Sequence, residues 1–147
     1  MEITTKTFKE LTKEELYELL SLRCQVFVVE QNCAYQDLDN KDQKALHVIG
    51  KKADKIVAYT RVFKPGDYFK NPSIGRVLVE ESSRKSSLGK DIMLASMDTI
   101  KRRFKNSTIE LSAQSYLKKF YRDLGFVENG GEFLEDGIPH IRMLLHP

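Results

Sequence analysis

The stretch from Val77 to Phe104 constrains the fold of this chain more than any other part of the sequence. It begins with three apolar residues, Val77-Leu78-Val79, which are typical of a buried strand, and continues into a polar segment typical of a loop. Apolar residues then recur at helical spacing: Met93, Met97, Ile100 and Phe104. The stretch therefore predicts a strand, a short loop and a long helix.

The predicted loop has the chemistry of an anion site. Ser86 or Ser87 can cap the helix, and Gly89 in its first turn lets a ligand approach the backbone closely. A helix N-terminus presents unpaired N–H groups and the positive end of the helix dipole, and both suit a phosphate. Arg84 and Lys85 add positive charge to the same turn. We therefore expect this turn to bind a phosphate.

The segment Arg84-x-x-Ser87-x-Gly89 resembles the acetyl-CoA loop of the GNAT superfamily of N-acetyltransferases, whose pattern is Gln/Arg-x-x-Gly-x-Gly/Ala. The preceding strand, the arginine, the final glycine, the spacing and the following helix all agree. Ser87 differs, because the family usually has Gly there. If this position requires a positive φ, the Cβ of Ser87 costs about 1 kcal/mol or more. At ordinary helical angles, Ser87 adds a cap.

A second segment, Tyr121-Arg122-Asp123-Leu124-Gly125-Phe126, resembles the later Tyr-x-x-x-Gly-Phe signature of the same superfamily. In that superfamily the tyrosine often protonates the leaving thiolate of CoA, so the resemblance implies that Tyr121 is a general acid. A phenol, with an ordinary pKa near 10, holds its proton at neutral pH and can donate it. Spacing alone is more typical of a core aromatic residue, because apolar side chains recur around it at helical intervals.

Further segments resemble the ElaA-like branch of the superfamily. They are residues 23–31, the loop that contains Tyr35, Asp37, Asp39 and Asp42, the residue His47, and the tail from Glu135 to Met143. Together the matching segments span nearly the whole chain, in the order of the family. The resemblance implies one GNAT domain over residues 1–147.

The remaining local patterns agree with an α/β (α+β) fold. Thr12 and Glu15 form a capping box at a helix start. Residues 46–51 and 55–63 predict an antiparallel pair that turns at Ala53-Asp54, and residues 32–42 predict an irregular loop. Further strands are predicted at 2–8, 74–79, 108–112, 126–128, 133–135 and 138–145, with a helix at 115–124. We expect a central mixed, mostly antiparallel sheet of about six to seven strands, flanked by about four helices.

The resemblance also implies how acetyl-CoA, the co-substrate, is bound. The backbone of Val77, Leu78 and Val79 pairs with the pantetheine arm as an added strand would. The following turn holds the pyrophosphate through residues 84–90: Arg84, Lys85, Ser86, Ser87, Leu88, Gly89 and Lys90. Gln114, in the segment before the Tyr121 motif, is assigned to the same cofactor site.

The implied reaction is direct attack on the thioester by the amine of a small molecule or peptide. The amine attacks only when neutral, so a base must accept its proton, directly or through water. Glu80 is the first candidate for that base, and Glu30 and His47 are the others.

The acceptor site is assigned to Glu30, Asp37, Asp39 and His47. The local excess of negative charge suits a cationic amine. An Asp-x-Asp pair can also bind a hard cation, or the carboxylates can serve only their own turns. These three interpretations remain open, although the proposed reaction requires no metal.

Composition narrows the class of protein. The 147 residues fit one domain, and 41% hydrophobic with 31% charged residues is ordinary for a soluble globular protein. No apolar run approaches the roughly 20 residues of a membrane helix, and the N-terminus lacks the apolar core of a signal peptide, so we expect a cytoplasmic protein without membrane contact. The net charge of +3 comes from scattered lysines, which argues against a nucleic-acid surface.

Two points stay open at this stage. The chain can be a monomer or a homodimer, because the apolar residues between Arg23 and Gln31 can form core or interface. The alternative function is a module that binds CoA or acyl-CoA without efficient transfer.

Overall fold

The structure is a computed structural model, and it describes residues 1–105 and 107–147. Its strands are β1 (Glu2–Thr7), β2 (Leu46–Lys52), β3 (Lys55–Phe63), β4 (Ser73–Val79), β5 (Ile109–Gln114), β6 (Val127–Glu128), β7 (Phe133–Glu135) and β8 (Ile138–Leu145). The α-helices are α1 (Lys13–Arg23), α2 (Leu88–Phe104) and α3 (Lys118–Asp123). A π-helical segment, Cys24–Glu30, continues α1, and short 3₁₀ turns occupy Phe8–Glu10, Asp42–Lys44, Glu81–Ser83 and Ser115–Leu117.

The strands form one sheet in the order β1-β2-β3-β4-β5-β8-β6, with β7 also paired to β8. Neighbouring strands are antiparallel except β4 and β5, which are parallel. The predicted mixed, mostly antiparallel sheet is confirmed. The described residues contain eight strands rather than six or seven, and three α-helices plus the π-helical segment rather than four regular helices.

Two local predictions hold at the level of single hydrogen bonds and dihedral angles. Thr12 Oγ1 accepts the Glu15 N–H at 3.0 Å, and Glu15 Oε1 accepts the Thr12 N–H at 3.1 Å, which completes the capping box of α1. The β2–β3 hairpin turns at Ala53 and Asp54, whose φ angles are +49° and +64°. Two consecutive positive φ angles are typical of the tight turns whose twist matches that of a hairpin.

Alternation of side chains along the central strands gives the sheet a core on each face. On one face, Val48, Val62 and Ile74 contact residues of α2 and α3. On the other face, Ile49 and Tyr59 pack with α1 and the π-helical segment. Of the helices in the described part of the chain, none is both long enough and apolar enough to cross a membrane.

A β-bulge interrupts this alternation in β4. Tyr59 pairs with Leu78 and Arg61 pairs with Gly75, so β4 has one more residue than β3 between these pairs. Arg76 lies in the bulge with φ of +48°. An extra residue reverses the faces of the side chains beyond it and bends the strand. Consequently Leu78 joins the α1 face, although Ile74 lies on the α2 face.

Candidate active site

The parallel strands β4 and β5 separate soon after they meet. Their registered pairing is limited to Ser73 with Glu110, and the Glu110 N–H donates to the Pro72 carbonyl at 2.9 Å. Beyond this point a cavity of about 620 Å³ lies between them, lined from one side by residues 73–79 and from the other by Leu111, Ser112 and Gln114. Because β5 turns away, the edge of β4 that faces it has backbone groups available to an extended ligand.

One end of the cavity is formed by the turn between β4 and α2. Arg84, Lys85, Ser86 and Gly89 all line it. In this turn Lys85 has a left-handed backbone conformation, with φ of +67°, whereas Ser87 has φ of −82°. Ser87 therefore occupies its position without the strain that a positive φ would impose.

The predicted capping of α2 by a serine side chain is weaker than expected. The Ser87 hydroxyl donates to Asp91 Oδ2 at 3.0 Å and makes no side-chain cap of the helix backbone. The Leu88 N–H instead donates to Ser86 Oγ at 3.5 Å. The N–H groups of Gly89 and Lys90 belong to the first turn, where no carbonyl of the same helix can accept them. They remain available to an anion.

Arg84 lies across the mouth of the cavity. Its Nε donates to the Val79 carbonyl at 2.9 Å, and its two terminal nitrogens bind both carboxylate oxygens of Glu30. Glu30 is the last residue of the π-helical segment, so this ion pair joins two elements that are 54 residues apart in sequence. Both side chains retain solvent contact, with 39% of Arg84 and 24% of Glu30 exposed.

Tyr121 reaches the cavity from α3. Only 6% of the residue is exposed, and it packs edge-on against Phe120 and Phe126. The described residues provide no hydrogen-bond partner for its hydroxyl. Burial raises the pKa of the Tyr121 phenol, so the hydroxyl is protonated at neutral pH.

The side of the cavity built by β7, β8 and their turn has polar groups that the sequence analysis did not assign. Glu135, Asp136 and His140 line the cavity there. His140 Nε2 lies 3.4 Å from Glu135 Oε2, and the Ser112 hydroxyl lies 3.5 Å from Glu135 Oε1. The tail from Glu135 to Met143 was part of the family resemblance, and this was the one sequence signal that could have pointed to these residues.

Comparison with known proteins gives consistent matches over almost the full length. Residues 8–146 match the family model described as an acetyltransferase (GNAT) domain. The ElaA protein of Escherichia coli is 43% identical over 136 residues, which cover 91% of this chain and 89% of that protein. The chain belongs to the GNAT acetyltransferase family.

Two solved GNAT-fold structures show how closely the architecture agrees. The crystal structure of Escherichia coli ElaA has a TM-score of 0.91 and 38% identity, with 99% of this chain and 100% of that chain covered. An acyl-CoA N-acyltransferase from Pseudomonas aeruginosa has a TM-score of 0.92 and 36% identity over 99% of both chains. This chain is thus an ElaA-like member of the GNAT family.

The fold brings most of the residues predicted from the GNAT resemblance to one cavity. Its lining includes Val77, Leu78, Val79, Arg84, Lys85, Ser86, Gly89, Gln114, Tyr121 and Glu30. Ser87, Leu88 and Lys90 lie in the same turn but are not among the lining residues. Motifs that are remote in sequence thus converge on the gap between β4 and β5.

Glu80 does not lie in this cavity. It faces a separate groove beside α1, with Tyr17 and Lys55 among its neighbours. Its carboxylate accepts hydrogen bonds from the hydroxyls of Ser82 and Ser83, and the bonds from Ser82 are the main reason that its pKa is lowered. A carboxylate that is outside the cavity and has a lowered pKa is poorly suited to accept a proton from an amine in the cavity.

His47 does not reach the cavity either. Its side chain is fully buried, with Nδ1 at 2.7 Å from the Tyr59 hydroxyl and Nε2 at 2.9 Å from the Asp42 carbonyl. Burial lowers its pKa, because the charged imidazolium is disfavoured in the interior. The position of His47 supports a structural role rather than contact with an acceptor.

The acidic loop is neutralised by three arginines. Asp37 binds Arg23 at 2.9 Å and Arg76 at 2.7 Å, while Asp39 binds Arg61 at 2.8 Å. Asp42 completes the network, 2.7 Å from Arg23 and 2.9 Å from Arg61. Burial alone would raise the pKa of Asp39, but hydrogen bonds from Arg61 outweigh it and hold that pKa at about 2.

The interpretation that the carboxylates serve their own turns holds in part, because Asp39 Oδ1 accepts the Lys41 N–H at 3.1 Å. The carboxylates of Asp37 and Asp39 bind protein arginines, so they contribute little free negative charge toward an acceptor. The described residues contain no group of three or more His, Cys, Asp or Glu arranged to hold a metal ion. The loop instead fixes Arg61 and Arg76, both of which line the cavity.

Proposed function

We propose that residues 1–147 form one acetyltransferase domain that transfers an acetyl group from acetyl-CoA to the amine of a small molecule or peptide. The observation that carries this proposal is the convergence of three features on one cavity. These features are the unpaired edge of β4, the Arg84–Gly89 turn at the start of α2, and the buried Tyr121 hydroxyl.

The residues present fit acetyl-CoA. The edge of β4 beyond Ser73 offers backbone donors and acceptors to the amide groups of a pantetheine arm. The first turn of α2 offers amide N–H groups to a pyrophosphate, with Arg84 and Lys85 beside them. A Cβ on Gly89 would point toward Val79 and Phe120 at ordinary contact distances of 3.6–3.7 Å, so the glycine leaves room on the cavity side.

When bound, acetyl-CoA supplies an acetyl group activated as a thioester. Tyr121 then has two properties of a useful acid: its hydroxyl is protonated at neutral pH, and no described residue competes for its proton. Apolar surroundings disfavour a free thiolate and an isolated phenolate alike, so proton transfer from Tyr121 requires that the phenolate takes up a proton lost by the amine. Arg84 leaves Glu30 to bind phosphate oxygens, which offer it equivalent charge-assisted hydrogen bonds.

Titration calorimetry with acetyl-CoA and with CoA tests the first part of this proposal. We expect micromolar binding of both ligands by the wild-type protein. Arg84→Ala should weaken acetyl-CoA binding by about 1–3 kcal/mol, because charge-assisted phosphate contacts are lost. Arg102→Ala is the matched control, since Arg102 is an exposed arginine on α2 paired only with Asp98.

Release of CoA thiol in the presence of primary amines tests the second part. Turnover with any amine supports the transferase, whereas saturable binding without thiol release supports the alternative of a CoA-binding module. No heat and no thermal stabilisation at millimolar ligand would contradict both functions.

A further inference from the structure

The proposed reaction requires a proton acceptor, and none of the three candidate bases discussed so far supplies it. His140 is the candidate for this role. The amine must lose a proton before it attacks, yet Glu80 faces another groove and His47 is buried with both ring nitrogens bonded. Glu30 lies beside Arg84, at the end of the cavity assigned to the pyrophosphate rather than to the acceptor. Of the histidines that the structure describes, His140 is the one that lines the cavity.

The surrounding strands hold the His140 ring in place from several directions. In β8, His140 pairs with Gln114 of β5 on one side and with Phe133 of β7 on the other. Its ring stacks on that of Phe133, with centroids 6.2 Å apart and 29° between the planes. Only 9% of the side chain is exposed. A ring held in this way points its nitrogens in fixed directions.

One hydrogen bond determines which nitrogen can accept a proton. Nδ1 of His140 lies 2.7 Å from the Ile138 carbonyl oxygen. A carbonyl can only accept, so Nδ1 carries the hydrogen and donates it. In the neutral ring the lone pair is then on Nε2.

The carboxylate of Glu135 lies 3.4 Å from Nε2. In the neutral ring Nε2 is an acceptor, as the carboxylate is, and the Ser112 hydroxyl lies 3.5 Å from the other carboxylate oxygen. A primary ammonium has three N–H donors and can bind both acceptors at once. The carboxylate also stabilises the imidazolium that forms when Nε2 takes a proton.

We infer that the His140–Glu135 pair binds the ammonium of the acceptor, and that His140 Nε2 accepts its proton. The inference rests on the proposed acetyltransferase function and names its missing proton acceptor. Glu135 holds the cationic amine, and His140 converts it to the neutral nucleophile. The acceptor is therefore an amine that reaches the cavity as a cation with at least two N–H groups.

The protons balance as follows for an ammonium R–NH₃⁺. One proton moves to His140 Nε2 and then to solvent. The neutral nitrogen forms a bond to the acetyl carbon, and the bond between that carbon and sulfur breaks. Tyr121 protonates the sulfur, and the second proton lost by the nitrogen replaces the one that Tyr121 gave. The products are an N-acetyl amine and CoA thiol.

Other titratable groups that line the same cavity must be considered in any pH profile. The β5 partner of His140, Gln114, is neutral, and the charged carboxylate of Glu135 on β7 lies 3.4 Å from Nε2. The remaining titratable lining residues are Glu30, Cys33, Tyr35, Arg61, Tyr68, Arg76, Arg84, Lys85, Tyr116, Tyr121 and Asp136.

The first experiment needs no acceptor. Long-range ¹H–¹⁵N NMR spectra of the imidazoles, assigned with His140→Gln, should show the neutral ring protonated on Nδ1 at about pH 8. A ring protonated on Nε2, or an imidazolium at that pH, would overturn the inference, because Nε2 could not then accept a proton.

The second experiment uses thiol release from acetyl-CoA with spermidine, 2-phenylethylamine and a lysine-containing tripeptide as probes. For the most reactive probe, His140→Gln should lower kcat by at least about tenfold and remove the acidic limb of the pH profile, while the Kd for acetyl-CoA changes less than about twofold. Glu135→Gln should raise the KM for the amine more than it lowers kcat. The control is His146→Gln, since His146 is exposed and does not line the cavity.

The outcomes separate this inference from the function on which it rests. An active wild-type protein whose His140→Gln variant keeps its kcat and its acidic limb would overturn the role of His140 alone. A wild-type protein that releases no thiol with any probe would overturn the proposed function and this inference with it. If His140→Gln does not fold, the His140 signals are assigned from triple-resonance spectra of the wild-type protein, and the tautomer together with the kinetics of Glu135→Gln still tests the inference.

Discussion

Arg84 and Glu30 form a two-pronged ion pair across the mouth of the cavity, and Arg84 also donates to the carbonyl of Val79, the last residue of β4. The residue expected to bind pyrophosphate is therefore bound by a protein carboxylate. Cofactor binding and this ion pair compete for the same guanidinium group.

Removing the Glu30 charge should consequently tighten acetyl-CoA binding. Because the pair is partly exposed, its net contribution is about 0.2–1 kcal/mol, so we expect Glu30→Gln to lower the Kd by at most about fivefold. Titration calorimetry at low salt measures this change. Glu128→Gln serves as the control, since Glu128 pairs with Lys118 and Arg122 away from the cavity. Weaker binding by Glu30→Gln would mean that Glu30 positions Arg84 for the cofactor.

Tyr121→Phe separates the role of the hydroxyl from that of the ring. The described residues offer the hydroxyl no partner, so its removal should leave the thermal unfolding temperature nearly unchanged. If the hydroxyl is the acid, kcat should fall by about 10²–10⁴-fold while the Kd for acetyl-CoA stays the same. Tyr17→Phe, which alters an exposed phenol on α1, is the control. Wild-type turnover in Tyr121→Phe would assign Tyr121 to packing alone.

Ser87→Gly tests whether the departure from the family pattern weakens the cofactor site. Ser87 has φ of −82°, so glycine would relieve no strain there. We expect the Kd for acetyl-CoA to change by less than about twofold. The contrasting variant is Lys85→Gly, which should stabilise the fold by about 1 kcal/mol because Lys85 has φ of +67°. A clear gain in affinity for Ser87→Gly would show that the serine side chain obstructs the cofactor.

The arginine–aspartate network should make stability depend on acidic pH. Hydrogen bonds from arginines outweigh burial and lower the folded-state pKa of Asp42, and they hold that of Asp39 at about 2. Both values lie below the unfolded value near 3.9, so this stabilisation is complete above about pH 4 and is lost as the pH falls toward about 2. Urea unfolding at several pH values measures the slope.

Asp39→Asn should reduce that slope and lower the free energy of unfolding at neutral pH by about 1–3 kcal/mol, because Arg61 loses charged hydrogen bonds. Asp98→Asn, which removes only an exposed pair on α2, should preserve the slope. Equal slopes in Asp39→Asn and the wild-type protein would exclude Asp39 as a source of the acid sensitivity.

Features that depend on neighbours in sequence were predicted closely. The capping box at Thr12, the turn at Ala53-Asp54 and the strand, loop and helix from Val77 to Phe104 all follow from local hydrogen bonding, backbone preference and periodicity. The two family motifs, Arg84–Gly89 and Tyr121–Phe126, could also be identified, because each is a short continuous segment.

Features that depend on pairing between distant segments were not predicted. The bulge at Arg76 is defined by the pairing of β4 with β3, which the sequence does not specify. Glu30 contacts Arg84 only when the π-helical segment lies beside β4. The ion pairs of the acidic loop were not predicted for the same reason, because its partners Arg23, Arg61 and Arg76 come from three other elements.

The sequence by itself determined the order of the elements, the Arg84–Gly89 turn and the tyrosine motif, because each is encoded over a few adjacent residues. The tertiary structure decided which charged side chains are paired within the protein and which remain available to a ligand. It paired Asp37, Asp39 and Glu30 with arginines, turned Glu80 outward, and placed His140 beside Glu135 in the cavity. The physical reason is that the chemistry of a charged group depends on its burial and its partners, and both are fixed only when strands distant in sequence come together.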